Sequence, residues 1–142
     1  MKYSEELRIV IVTGSRHARL IEPVAKVLTE LGPDLVVHGG AKGIDALADR
    51  WCKENIVARC IVHADWSKGR SAGPTRNAKM VRMFPTAHGA AFPCIESTGT
   101  WDCVRKLKAA NQEVTITRIG PGWDEVDATL EKAKNERSDS SS

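Results

Sequence analysis

Residues 7–13, LRIVIVT, form a continuous apolar run in which β-branched side chains predominate. A strand with one solvated face alternates polar and apolar positions, so a run without alternation belongs to a strand covered on both faces. Such a strand needs helices above and below it, and the following segments supply them. Gly14-Ser15-Arg16 breaks the run; Leu20, Val24, Val27, Leu28 and Leu31 then recur at helical spacing until Gly32-Pro33 ends the helix. A second strand over 34–38 runs into Gly39-Gly40, and the helix after it carries Ile44, Leu47, Ala48 and Trp51 on one face. A third strand over 56–63 leads into a polar loop from Ala64 to Pro74. A helix from about Thr75 to Phe84, a strand around 88–92, a helix capped by Thr100 and reaching about Ala110, and a strand over 113–118 complete the series. Strand–helix alternation of this kind predicts an α/β protein, a parallel sheet of about five strands with right-handed crossovers and helices on both faces.

The chain of 142 residues is read as one domain over 1–119, a Glu/Lys-rich helical extension over 120–136 opened by Gly120-Pro121-Gly122, and a disordered tail over 137–142. In the extension, Val126 and Leu130 are the main apolar contacts. No apolar run approaches the roughly 20 residues that cross a bilayer, and MKYSEELRIV lacks a signal-peptide pattern. The expectation is a cytoplasmic protein without a membrane partner. Cys52, Cys60, Cys94 and Cys103 show neither a CxxC pair nor a zinc-type histidine spacing, so reduced thiols, no metal site and no cofactor are expected.

Function is concentrated in the loops. In a parallel sheet, ligands bind beyond the carboxyl ends of the strands, where four polar motifs fall: Gly14-Ser15-Arg16, Gly39-Gly40-Ala41-Lys42-Gly43, the 64–77 loop and Ser97-Thr98-Gly99-Thr100. Glycine there lets an anion approach backbone N–H groups, although each loop taken alone reads equally as a tight turn. From Ser67 to Ile95 there is no carboxylate, while Lys68, Arg70, Arg76, Lys79 and Arg82 contribute +5, more than the +3 of the whole chain. Positive charge focused in this way points to an anionic partner. Two helix N-termini, one opened by HGGAKGID and one by the basic SKGRSAGPTRNAKM, are expected to face a single crevice.

IVTGSR, HGGAKGIDALAD, HADWSKGRSAGPTRNAKM and STGTWDC together resemble the SLOG superfamily, and within it the small stand-alone group related to YspA and YpsA. The resemblance covers roughly residues 8–118 and implies a Rossmann-like fold, here a single Rossmann-like domain. It also implies binding of a nucleotide or its ribose-phosphate part, since the superfamily includes the phosphoribohydrolases that activate cytokinins, the DNA-processing protein DprA, and proposed sensors of NAD-derived signals. A homodimer or higher homo-oligomer is implied as well, with the helices at 20–31 and 100–110 and Trp101 available for contact.

Carried over residue by residue, Arg76-Asn77-Ala78-Lys79-Met80 is similar to the RKxxM element of the phosphoribohydrolases, and gives Arg76 the role of a phosphate- or ribose-contacting cation. Gly99-Thr100 fit the GT of their PGGxGTxxE motif, but Cys103 stands where that motif has its catalytic glutamate. Asp102 lies one residue earlier, turned by about 100° on a helix; Asp102, or Glu96 on the longer preceding loop, is the candidate catalytic carboxylate. The candidate ligand-binding residues are Gly14, Ser15, Arg16, Gly39, Gly40, Lys42, Asp45, Trp66, Lys68, Arg76, Asn77, Ser97, Gly99 and Thr100. Asp45 reads either as a ribose ligand or as compensation of a helix dipole, and Trp66 either as a base-stacking ring or as an aromatic plug. Lys68 and Arg70 read as a lid over phosphate or as a solvated charge run.

Three functions follow. The first is a binder of a nucleotide or NAD-derived ligand, acting as a sensor or, if phage-encoded, as a sequestering protein; the replaced glutamate favours it. The second is a phosphoribohydrolase that cleaves the N-glycosidic bond of a nucleoside monophosphate or related nucleotide. The third is a single-stranded DNA binder, for which one Tyr, two Phe and four Trp make a thin stacking platform.

Overall fold

In the computed structural model, residues 7–120 are described. The first apolar run forms strand β1 (Ile9–Gly14), whose side chains alternate between two cores. Val10 and Val12 join Val36, Ala90 and Phe92 under one pair of helices; Ile11 joins Val37 under another. All three β1 residues are 2% exposed or less, which is why the sequence shows no polar alternation there.

Helices α1 (Glu22–Leu31) and α2 (Ile44–Asn55) cover the first face through Val24, Leu28, Ile44, Ala48 and Trp51. Helices α3 (Ala72–Met83) and α4 (Thr98–Ala109) cover the second through Met80, Val81, Cys103 and Leu107. Strands β2 (Leu35–His38), β3 (Ala58–Ile61), β4 (His88–Phe92) and β5 (Val114–Ile116) complete a five-stranded sheet in the order β3-β2-β1-β4-β5. Every pairing is parallel, with Val10 opposite Val36 on one side and Val12 opposite Ala90 on the other.

The expected alternation is present, with shifts at its edges. Gly32 ends α1 in the left-handed conformation, its N–H donating to the Leu28 carbonyl. Leu20, expected on the apolar stripe of α1, precedes the helix and is 68% exposed. The polar loop expected over 64–74 contains a 3-10 segment, Trp66–Ser71, broken at Gly69 and running directly into α3. Helix α4 starts at Thr98, so Thr100 lies in its first turn and Ser97 holds the cap position. The extension and tail expected after residue 120 lie outside the described residues. Among the described residues no helix is long and apolar enough to cross a membrane, and no group of three or more His, Cys, Asp and Glu could hold a metal ion.

Candidate functional site

The strand order places a topological switch point between β1 and β4. The connection after β1 leads to one side of the sheet and the connection after β4 to the other, leaving a crevice beyond their carboxyl ends. The Ser15 N–H ties the two ends together by donating to the Phe92 carbonyl at 3.0 Å. A cleft of about 360 Å³ opens there. Its walls are the end of β1 (Thr13 to His17), the start of α2 (Ala41, Asp45), the middle of α3 (Arg76, Asn77) and the β4–α4 junction (Cys94, Glu96 to Thr100).

The glycine-rich loop before α2 is closed on the protein itself. The Asp45 carboxylate accepts the Gly39 N–H at 3.0 Å and the Ala41 N–H at 3.2 Å with one oxygen, Oδ2. Gly40 N–H donates to His38 Nδ1 at 2.9 Å, so the His38 proton sits on Nε2, which is 2.9 Å from Asp49 Oδ1. Ile44 N–H donates to the Ser15 carbonyl at 3.0 Å. Gly43 makes that last approach feasible: its φ is +77°, and a Cβ there would strike the Ser15 carbonyl and the Arg16 backbone. Burial pushes the Asp45 carboxyl above its ordinary range, against the opposing pull of the Arg76 charge and the two backbone donors. An internal carboxylate thus occupies the amide cradle that an external anion would otherwise use.

The start of α4 is arranged differently. An α-helix leaves its first N–H groups without intrahelical partners. Here the Thr98 N–H donates to the Glu96 carbonyl at 3.0 Å and the Trp101 N–H to Ser97 at 3.1 Å. Ser97 gives no side-chain cap, because its hydroxyl accepts the Cys94 N–H at 2.8 Å and lies 3.2 Å from the Cys94 sulfur. The amides of Gly99 and Thr100 are left without an acceptor among the described residues. The first turn carries no acidic residue, and a Cβ on Gly99 would meet nothing within 4 Å. This end of α4 offers unpaired donors and a positive dipole end to the cleft.

Arg76 and Asn77 couple the pieces. Arg76 Nη1 donates to the Gly39 carbonyl at 2.9 Å and Nε to Asn77 Oδ1 at 3.0 Å. Gly39 permits this, since a Cβ there would strike the guanidinium. Asn77, only 3% exposed, donates from Nδ2 to the Gly99 carbonyl at 3.2 Å and to Asp102 Oδ2 at 3.0 Å. Asp102 also accepts from Lys106 Nζ at 2.6 and 2.7 Å. Partial burial opposes its charge, but the hydrogen bonds from Lys106 and Asn77, with the Lys106 and Arg105 charges, hold its carboxyl below the ordinary carboxylate range.

The cleft therefore brings together Gly14, Ser15, Arg16, Asp45, Arg76, Asn77, Glu96, Ser97, Gly99 and Thr100 from the sequence expectation. It does not include Gly39, Gly40, Lys42, Trp66, Lys68 or Asp102 in its lining. Gly39 and Gly40 shape the loop behind it. Trp66 supports the rim from outside: the Arg16 guanidinium lies 5.4 Å from its ring centroid. Lys68 is exposed on the 3-10 segment, and of the five cations between Ser67 and Ile95 only Arg76 lines the cleft. The crevice was expected to join the N-termini of α2 and α3. It joins the start of α2 to that of α4, and the first turn of α3 stands away from it.

Sequence reasoning passed over Cys94, whose thiol lines the cleft. Desolvation works against its ionisation, but hydrogen bonds from Ser15, Ser97 and the Glu96 amide hold it below the ordinary thiol range. Buried Cys52 and Cys103 are pushed up to about 11 by desolvation. No motif marks Cys94; only its place directly after an apolar strand could have drawn notice. His17 was likewise unmarked and lines the same wall.

Comparison with known proteins agrees with this architecture. The model of the YspA, cpYpsA-related SLOG family matches residues 8–69, which contain β1 through the start of the 3-10 segment. The Gene 61 protein of Mycobacterium phage D29 is 38% identical over 115 residues, covering 73% of this chain and 91% of the phage protein. Among solved structures, the crystal structure of DNA processing protein A (DprA) from Streptococcus pneumoniae superposes with a TM-score of 0.61 at 17% identity. That match covers 89% of this chain and 56% of the DprA chain, so this protein spans little more than half of that structure, and the likeness is one of fold.

Proposed function

The chain belongs to the YspA, cpYpsA-related SLOG family, and from that premise we propose that it binds a nucleotide or NAD-derived ligand through its ribose-phosphate part. The ligand lies in the cleft between β1 and β4, and the protein acts as a sensor or a sequestering protein. One observation carries the reading. The unpaired Gly99 and Thr100 amides at the start of α4 share a cleft with Arg16 and Arg76 at the topological switch point of the sheet. A phosphate on those amides gains the helix dipole and hydrogen bonds without displacing any internal partner. The relative in a bacteriophage favours the sequestering version.

Hydrolysis of the N-glycosidic bond is the second reading, favoured by the exposed Glu96 carboxylate in the cleft wall. In that case Glu96, and not the engaged Asp102, is the residue able to orient water or stabilise a cation-like sugar.

Native mass spectrometry of the full chain, alone and with nucleoside monophosphates, NAD, ADP-ribose and cyclic nucleotides, tests both. A ligand retained at intact mass is the expected result, on a homodimer or higher homo-oligomer. Appearance of free base, lost in Glu96→Gln, would establish the hydrolase. A panel neither retained nor consumed would overturn both readings.

A further inference from the structure

A second cavity, of about 240 Å³, adjoins the cleft. It shares Ser15, His17, Cys94 and Glu96 with the cleft and adds Ala18, Ile95, Ile119 and Gly120. The four shared residues border both cavities, and on either side of them the character of the walls differs. The cleft presents Arg16, Arg76, Asn77 and the α4 amides; the annexe presents aliphatic side chains from three separate segments. Ile95 is 50% exposed although it directly follows a strand and loop that are otherwise well covered. Ile119 is held in place by its N–H, which donates to the Pro93 carbonyl at 3.0 Å, so this wall is anchored to the end of β4.

Size decides how the annexe can be used. Alone it falls below the roughly 300 Å³ at which small-molecule pockets begin, and the cleft alone lies near that lower end. Open to each other past the shared residues, the two would make one bipartite site of ordinary volume, polar and cationic at one end and apolar at the other. A nucleotide has the same division: a charged phosphate, a hydroxylated sugar, and a flat ring whose faces are apolar.

We propose that the two cavities form one continuous site whose annexe seats the heteroaromatic base of the ligand, with Ala18, Ile95 and Ile119 against the ring and the shared residues around the sugar. In this arrangement Glu96 and His17 face the hydroxyls or the amino edge at the junction. The inference rests on the nucleotide-binding function proposed above and specifies which part of the molecule secures affinity. Ile95 and Ile119 determine the preference for a base-bearing ligand; Arg16, Arg76 and the α4 amides do not distinguish one sugar phosphate from another.

Isothermal titration of the full chain with ribose 5-phosphate and with the four common ribonucleoside monophosphates separates the two ends. The tightest monophosphate should bind at least about tenfold more strongly than ribose 5-phosphate. Ile95→Asn, a neutral change at a half-exposed position, should remove most of that gap and leave ribose 5-phosphate binding as it was. Ile95→Leu should preserve the gap, which guards against a general disturbance of the loop. Equal affinity for ribose 5-phosphate and every monophosphate, or a gap that survives Ile95→Asn, would overturn the base site while leaving the phosphate site standing. Failure of all five compounds to bind would overturn both.

Discussion

The two glycine-bearing loops at the rim of this protein look alike in sequence and behave differently in space. HGGAKGID before α2 has four amides engaged within the protein, those of Gly39, Gly40, Ala41 and Ile44. STGT at the start of α4 leaves the Gly99 and Thr100 amides without an acceptor among the described residues, and both residues line the cleft. Of the four engaged amides, those of Gly39 and Ala41 are taken by one carboxylate. Asp45 stands in the first turn of α2 and satisfies the loop from inside, whereas the first turn of α4 has no acidic residue. Glycine serves packing in the first loop, where Gly39 admits Arg76 and Gly43 admits the Ser15 backbone. In the second, Gly99 borders open space. A glycine-rich strand end thus keeps its amide donors free only where no internal acceptor already takes them.

This contrast can be broken at either loop. Gly43→Ala should be the most damaging single change, losing about 2–4 kcal/mol of unfolding free energy in urea melts, because a Cβ at positive φ meets backbone that cannot yield. Gly99→Asp should leave stability unchanged or slightly raised, since its Cβ meets nothing and a carboxylate suits a helix N-terminus. Its affinity for nucleoside monophosphates should nevertheless fall by about a hundredfold, close to 2.7 kcal/mol, with the added charge filling the donor end of the cleft. If Gly99→Asp bound normally, the α4 terminus would not be the anion site.

The two aspartates should respond oppositely to pH. Burial raises the Asp45 carboxyl above the ordinary aspartate value of 3.8, so its contribution to stability is fully present below that value and is lost as pH rises through the folded-state value. Asp102 is lowered from 3.8, so its contribution is present above 3.8 and is lost as pH falls through its folded-state value. Asp45→Asn keeps an acceptor for the Gly39 and Ala41 amides and should be tolerated at neutral pH, whereas Asp45→Ala leaves both unpaired at a cost of about 2 kcal/mol or more. Asp102→Asn should cost about 1 kcal/mol at neutral pH, the deficit shrinking as unfolding is measured at progressively more acid pH. The smallest effect is expected outside the cleft. Lys68→Ala with Arg70→Ala should change nucleotide affinity less than about threefold. A large loss, or a matching loss of single-stranded DNA affinity with a steep salt dependence, would make the exposed basic segment part of the site.

Much of the fold was legible because its signals are local. The unbroken apolar run of β1 required cover on two faces, and Val10, Ile11 and Val12 do alternate between two cores. Gly32-Pro33 ends α1 where the sequence places the stop. The 3-10 segment at Trp66–Ser71 was not legible, since WSKGRS has no apolar periodicity and is held by its junction with α3 and by the Asp65 side chain, which accepts the Ser67 N–H at 3.2 Å. The cap of α4 lies at Ser97 and not at Thr100, both good capping residues by type; the backbone bond from the Trp101 N–H to the Ser97 carbonyl distinguishes them, while the Ser97 hydroxyl accepts the Cys94 N–H instead of capping.

At the site, the motifs marked the right strand ends but not which groups remain available. Whether Asp45 faces a ligand or its own loop depends on the path of Gly39 to Ala41, a tertiary fact. Arg76 and Asn77 were visible as an Arg-Asn pair, yet their bonds span 37 residues to Gly39 and 22 to Gly99. Cys94 and His17 carry no motif, and they enter the cleft only because β4 and β1 lie side by side.

The most direct test follows backbone amides by ¹⁵N–¹H correlation spectroscopy during titration with a nucleoside monophosphate. The account predicts large shifts at Gly99 and Thr100, smaller ones at Ser15 and Arg16, and little change at Gly39 to Gly43. Large shifts confined to Gly39–Gly43, with Gly99 and Thr100 unmoved, would contradict it and place the ligand on the other loop.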